Sequence, residues 1–207
     1  MMMKPFSEAS EQNKHPILVV LQQYFAGVRN VLEIGSGTGQ HAVFFATQLP
    51  HLNWLASEVA ELHPGVNAWL QEAGLANLAG PVELDVNQPD WPVNEVDAVF
   101  SANTVHIMDW PSVENMFAGI GRVLQTEGVF CLYGPFNYEG NYTSDSNARF
   151  DQWLKQRDPG SGIRDFEALN ILAQQHGMAF LADHVMPVNN RILVWRKLHA
   201  SNEKAQE

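Results

Sequence analysis

Apolar residues fall along the chain in short runs of two alternating kinds. Residues 31–34 form a near-continuous apolar run of buried-strand character, broken only by Glu33. After them Ala42, Phe44, Phe45, Ala46 and Leu49 return at helical spacing, which predicts a helix from about 39 to 49, stopped by Pro50. The pattern repeats. A second strand is expected at 52–57, ending in Glu58. A helix follows Pro64, with Val66, Trp69 and Leu70 inward and Gly74 at its end. A third strand is expected at 82–86, with Asn87, Gln88 and Pro89 as turn residues. The fourth strand spans 96–102, a helix runs from Ser112, as N-cap, to about 124, and the fifth strand spans 129–133.

The ends of the chain differ. Residues 1–12 are polar and are expected to be loose, with a first helix beginning near Pro16, burying 17–25 and ending at Gly27. Beyond the fifth strand, residues 134–147 read as a long polar and aromatic loop, the type that commonly serves as a substrate lid. Then come a helix with Phe150, Trp153 and Leu154 on one face, a turn cluster at 158–162 and a helix from about 165 to 176. Strands at 180–186 and 191–196 close the chain as a hairpin, the last inserted antiparallel. Alternating strands and helices imply an α/β domain with a mostly parallel sheet and helices on both faces. One domain at 1–199 is expected, with a helical cap (1–27) and a disordered tail (200–207).

Composition narrows the function classes. The 207 residues carry a formal net charge of −11 and no run of Lys or Arg, which disfavours nucleic acid and anionic membrane as partners. The apolar fraction is 45%, ordinary for a globular chain. No apolar window approaches the roughly 18 residues of a membrane span, and the first residues lack a signal-peptide core. A cytoplasmic protein is the default expectation. Cys131, the one cysteine, sits in an apolar run and reads as a buried, inert thiol.

The chemistry is carried by the first strand and the loop after it. Gly35, Gly37 and Gly39 recur at alternate positions, with Ser36 between them, directly before a helix start. Such a loop lets backbone approach a ligand closely and offers unpaired N–H groups. A dinucleotide fingerprint needs a glycine where this chain has Gln40. The carboxylate of Glu33 just before the loop suits a cationic ligand better than a pyrophosphate. The spacing resembles motif I of class I S-adenosylmethionine-dependent methyltransferases. That resemblance implies a Gly loop against the methionine part of the cofactor and Glu33 near its ammonium group. Glu58, at the end of the second strand, stands where ribose hydroxyls are read in Rossmann-like sites. By the same resemblance Asp85 and Val86 take the adenine. Asn103 and His106 follow the fourth strand, at the point where strand order would reverse and the reactive end of a cofactor would lie.

Seven stretches together resemble one family: Asn13-Lys14-x-Pro16-Ile17-Leu18, Ser36-Gly37-Thr38-Gly39-Gln40-His41, Asn103-x-x-His106-Ile107, Tyr133-Gly134-Pro135-Phe136, Ser146-Asn147-x-x-Phe150-Asp151, Arg164-Asp165 and Met186-Pro187-x-Asn189-Asn190. The chain is similar, over nearly all of 5–197, to the methyltransferase-like family labelled domain of unknown function 938. The resemblance implies a Rossmann-like sheet of order 3-2-1-4-5-7-6 with strand 7 antiparallel, and S-adenosylmethionine as cofactor. Asn13 and Lys14, ahead of the first helix's apolar face, join the cofactor set.

Methyl transfer from a sulfonium is an in-line displacement that depends mostly on positioning. His106 is the candidate base, since histidine titrates near neutrality. Tyr138 and Tyr142 are candidates to orient the acceptor, as is Asn190. A closed, mostly apolar pocket of small-molecule size is expected. Asn103-Thr104-Val105-His106 does not resemble the Asn/Asp-Pro-Pro-aromatic motif of enzymes that methylate exocyclic base amines. A small-molecule acceptor is therefore the leading expectation. Alternatives are a non-catalytic S-adenosylmethionine-binding protein acting through a partner, and a nicotinamide-dependent oxidoreductase. The histidines show no metal-ligand spacing, and the pattern says nothing about oligomeric state.

Overall fold

The structure is a computed structural model that describes residues 4–199. The expected tail at 200–207 lies outside the described residues. In chain order the elements are α1 (Glu8–Tyr24), β1 (Asn30–Ile34), α2 (Gln40–Gln48), β2 (Asn53–Glu58), α3 (His63–Ala73), β3 (Leu78–Glu83), β4 (Val96–Ala102), α4 (Trp110–Val123), β5 (Leu124–Gly134), β6 (Phe136–Asn137), α5 (Asp145–Arg157), β7 (Arg164–Asp165), α6 (Phe166–Gln175), β8 (Met178–Val185) and β9 (Arg191–Lys197).

Seven strands form one sheet in the order β3-β2-β1-β4-β5-β9-β8, and β6 and β7 make a separate parallel pair. Strands β1 to β5 pair in parallel, and β9 runs antiparallel to both β5 and β8. This is the Rossmann-like strand order that the resemblance implies, with the closing hairpin added at one end.

The central strands read as apolar runs because both sheet faces are covered. Successive side chains alternate between the faces. Val31, Phe100 and Cys131 pack with Ile17, Leu21, Phe45 and Trp54 under the first helices. Leu32, Val99, Phe130 and Leu132 pack with Phe117, Leu169 and Trp195 on the other face. Each such large side chain, fully buried, contributes on the order of 1.5–3 kcal/mol. Cys131 is fully buried, and burial pushes its thiol up.

Four expectations need correction. Residues 4–12 are not loose. Helix α1 begins at Glu8, where the Ser7 hydroxyl caps the Ser10 N–H at 3.2 Å, and Pro16 lies inside the helix. The segment before it is strapped onto α3: Trp69 Nε1 donates to the Pro5 carbonyl at 2.7 Å, and Lys4 Nζ sits 3.5 Å from the Trp69 ring centroid. These long-range contacts hold a start that local pattern does not reveal.

Strand β3 begins earlier and ends earlier than expected. It is an edge strand, where Gly80 and Pro81 are tolerated, so its half-exposed residues lack an apolar signature. Helix α4 is capped by Asp109, whose Oδ1 accepts from Ser112 N at 2.9 Å, rather than by Ser112. Finally, the stretch at 134–147 is not loop throughout. It contains β6 and a Tyr138–Asn141 bridge, and α5 starts within it at Asp145.

Candidate functional site

Strands β1 and β4 lie side by side, with Ile34 beside Ser101. Beyond their carboxyl ends the chain turns to opposite faces of the sheet, toward α2 and α4, leaving a crevice between. A cavity of about 1090 Å³ occupies this place. Its wall comes from the strap and α1, the Gly loop, the end of β2, the loop after β4, the end of β5, the start of α5 and the β8–β9 connection.

The three glycines of the loop serve different purposes. A Cβ on Gly35 would stand 2.6 Å from Thr104 Cγ2, so this glycine lets the loop pack against the segment after β4. Thr104 is itself held by Ser101, whose hydroxyl lies 2.7 Å from both Thr104 Oγ1 and the Ile34 carbonyl oxygen. A Cβ on Gly39 would meet Trp69 and Val66 of α3 at 3.2 and 3.3 Å. Gly37 lines the cavity, and a Cβ there would have no protein atom within 4 Å.

Two acids flank the loop. Glu58 lines the cavity, accepting from Gly37 N at 2.7 Å through Oε2 and from Val59 N at 2.9 Å through Oε1. Glu33 does not reach the cavity. It is buried beneath the loop, where Oε2 accepts from Ser36 Oγ at 2.9 Å and Trp54 Nε1 at 3.0 Å. Burial pushes its carboxyl up to about 7, against the lowering effect of those two donors. Its position is that of a prop under Ser36, which lines the cavity above it.

Asn13, Gly35, Ser36, Gly37, Glu58, Asn103 and His106 are thus brought together on the cavity wall. Lys14, Gly39, Asp85, Val86, Tyr138 and Tyr142 are not. Lys14 Nζ is engaged by Glu11 and sits 5.0 Å from the Phe44 ring centroid. Because β3 stops at Glu83, Val86 enters the second core cluster and Asp85 closes a turn, accepting from Asn87 N at 2.9 Å. Tyr138 Oη donates to Asp183 Oδ2 at 2.7 Å, and Tyr142 Oη donates to Asp151 Oδ2 at 2.6 Å. Both hydroxyls are spent on structural carboxylates.

His106 is buried, lines the cavity and has an Nδ1 with no hydrogen-bond partner. Burial, then the neighbouring charge of Arg164, lowers its imidazole to about 4, so the ring is neutral near pH 7. Phe150 packs against it edge-on, with centroids 5.4 Å apart. The backbone around it is held by a distant segment. Arg164 donates to the carbonyls of Val105 (3.0 Å) and Met108, and Gly162 N donates to the His106 carbonyl at 2.9 Å. Ser161 Oγ donates to the Ile107 carbonyl at 3.0 Å. The turn cluster at 158–162 is therefore a support of the loop that carries His106.

Asn190, a candidate from the sequence, lies on the wall and its Nδ2 donates to Tyr133 Oη at 2.9 Å. Sequence reasoning gave no role to two other wall residues, Tyr133 and His41, whose Nε2 lies 2.7 Å from Asn13 Oδ1. Both stand in the quoted runs, but neither carries a spacing signal of its own. The β8–β9 connection carries Val188 and Asn189 at φ 59° and 58°, a left-handed backbone strained for a β-branched residue. Asn147 Nδ2 donates to the Asn189 carbonyl at 3.2 Å and helps hold it. Among the described residues no cluster of His, Cys, Asp or Glu could hold a metal, and no helix is long and apolar enough to cross a membrane.

The family model described as "Protein of unknown function (DUF938)" matches residues 4–197. The fold is similar to that of an O-methyltransferase family protein from Burkholderia thailandensis, at 12% identity and TM-score 0.79, over 90% of this chain and 57% of that one. It is similar to mitomycin 7-O-methyltransferase, at 16% identity and TM-score 0.79, over 91% of this chain and 54% of that one. It is also similar to human N-acetylserotonin methyltransferase, solved in complex with SAM, at 14% identity and TM-score 0.77, over 93% and 53%. The chain spans a little over half the length of these structures.

Proposed function

This chain belongs to the DUF938 family, and we propose that it is an S-adenosylmethionine-dependent methyltransferase acting on a small-molecule acceptor. The observation that carries the reading is the seating of Glu58. Its carboxylate lines the cavity and bonds the Gly37 N–H, and the space that a Cβ on that glycine would enter holds no protein atom within 4 Å. A ribose with two adjacent hydroxyls fits a carboxylate so placed. Gly35, Ser36 and Gly37 would hold the methionine part, and the cavity has room for an acceptor beside a cofactor. Bound there, S-adenosylmethionine supplies a methyl group on a positive sulfur and leaves as S-adenosylhomocysteine, the electron pair of the broken carbon–sulfur bond staying on sulfur.

The chain's own residues supply the rest. The Gly loop and Glu58 orient the donor. Phe150 packs on His106 on the acceptor side, where Met108 and Ile107 also line the wall. His106, neutral and on the cavity wall, takes the proton that the acceptor loses. Arg164 fixes the height of the His106 loop and acts through it. Asn13 and Asn103 complete the wall between donor and acceptor. Neither the acidic charge nor the cavity suits a nucleic-acid or membrane partner.

Calorimetry with S-adenosylmethionine and with NAD tests the cofactor. Binding of the first and not the second is expected, and the reverse result would overturn the reading. Transfer of labelled methyl to any acceptor separates a catalyst from a protein that only binds the cofactor.

A further inference from the structure

We propose that the acceptor is an uncharged molecule with a largely apolar body, and that phosphorylated, sulfated and carboxylated metabolites are excluded. The inference rests on the methyl-transfer reading above and narrows its substrate.

The first observation is charge. Among the described residues no Lys or Arg lines the cavity, while Glu58 and Glu61 do. Three cations on elements that border it are committed elsewhere. Arg164 is bonded to backbone carbonyls, and Arg191 Nε donates to Asp183 Oδ1 at 2.7 Å. Lys14 is held by Glu11. An anionic acceptor taken from water into such a wall would lose its hydration with no cationic side chain of the wall to replace it, beside carboxylates of its own sign.

The second observation is the state of the polar wall. His41 pairs with Asn13, Asn190 with Tyr133, and Asn147 with the Asn189 carbonyl. These pairs tie down wall amides, and His41 and His106, both neutral near pH 7, add no positive charge to the wall.

The third observation is the rim. Ile107 and Val188 line the cavity and are 53% and 77% exposed. Val188 is held out in left-handed backbone that a valine does not adopt on its own account. Apolar side chains displayed at a cavity mouth match an apolar body entering it.

The full chain, with methyl-tritiated S-adenosylmethionine and a metabolite extract, provides the test. Label is expected in products that neither anion exchanger nor precipitated protein retains, and that survive mild alkali. Label on the anion exchanger, in protein, or released by alkali as methanol from a methyl ester would overturn the proposal and leave methyl transfer standing. No label in any fraction would overturn methyl transfer, and the proposal with it.

Binding gives an independent readout. Fluorescence titrations of 2-naphthol and 6-hydroxy-2-naphthoate into the protein loaded with S-adenosylhomocysteine should differ by about tenfold or more in favour of the neutral ligand. Equal or tighter binding of the carboxylate overturns the proposal. Ile107→Lys, at an exposed wall position, should narrow the gap, and an unchanged gap would show that charge is not what discriminates.

Discussion

Glu58 Oε2 accepts the Gly37 N–H at 2.7 Å, so the acid at the end of β2 is tied to the middle of the loop that follows β1. The two residues lie 21 positions apart. Their bond sets the spacing between the parts of the wall assigned to ribose and to methionine. Glu58→Ala should weaken S-adenosylmethionine binding by about 1.5–3 kcal/mol, the scale of a hydrogen bond to a charged group. Calorimetry checks it, and an unchanged affinity would remove Glu58 from the site.

The glycines should separate binding from folding. Gly37→Val fills open cavity and should abolish cofactor binding, with a stability loss of about 1–2 kcal/mol from its left-handed backbone. Gly39→Ala should lower stability by about 1–3 kcal/mol, because the new methyl meets Val66 and Trp69 at φ 90°. Urea denaturation and calorimetry on both variants compare the two losses.

His106→Ala should reduce turnover by about 10²–10⁴-fold, the usual contribution of a positioned base, while S-adenosylmethionine affinity stays near that of the unmodified protein. Kinetics with an acceptor found by the labelling experiment, set beside calorimetry, make the comparison. A matching loss of cofactor affinity would reassign His106 to the cofactor side.

Buried titratable groups should make stability depend on pH in two opposed ways. His41 and His106 have imidazoles lowered by burial from 6.5 to about 4. Between those values the unfolded chain binds protons that the native state refuses, so stability falls as pH drops from 6.5 toward 4. Glu33 is raised by burial from 4.5 to about 7. In that window the native state keeps a proton the unfolded chain has released, so stability falls as pH rises from 4.5 to 7. Glu33→Gln should therefore gain on the unmodified protein as pH increases through that range. His41→Gln should shrink the loss on the acid side. Denaturation midpoints at pH 4.5, 6 and 8 test both.

Arg164→Lys should also impair turnover, since a lysine cannot present the planar fork that serves the carbonyls of Val105, Met108 and Gly160. Faster proteolysis at 104–108 with a nearly unchanged melting temperature would mark the effect as local. An unaltered rate would show that the clamp is not needed for positioning.

The fold was legible where apolar runs were continuous. Strands β1, β4 and β5 are buried on both faces, so their residues advertise the sheet centre, and the Gly loop marks the crevice beside it. Strand β3 and the first turns of α1 were misread because exposed or long-range contacts hold them, and neither leaves a periodic trace. The wall assigned above to the cofactor was readable for the same reason as the sheet: the Gly loop directly follows β1 and Glu58 ends β2. The acceptor side was not. Tyr138 and Tyr142 looked like lid residues, but their hydroxyls satisfy Asp183 and Asp151. Tyr133 and His41 were hidden inside apolar runs, and only tertiary packing turns them toward the cavity.

The Arg164 clamp also bears on the order in which the molecule can become functional. Residues 105–108 follow β4, yet the guanidinium that seats them is 59 positions further along from Val105. A nascent chain that has emerged only as far as β5 already contains the Gly loop, Glu58 and His106. It does not yet contain the segment that sets the height of the histidine. On the proposed reading, the residues assigned to the donor are all present early in synthesis, whereas the seat of the candidate base has to wait for the last third of the chain. Truncation after β5 would thus leave the Gly loop and Glu58 but remove the guanidinium that seats the loop of His106.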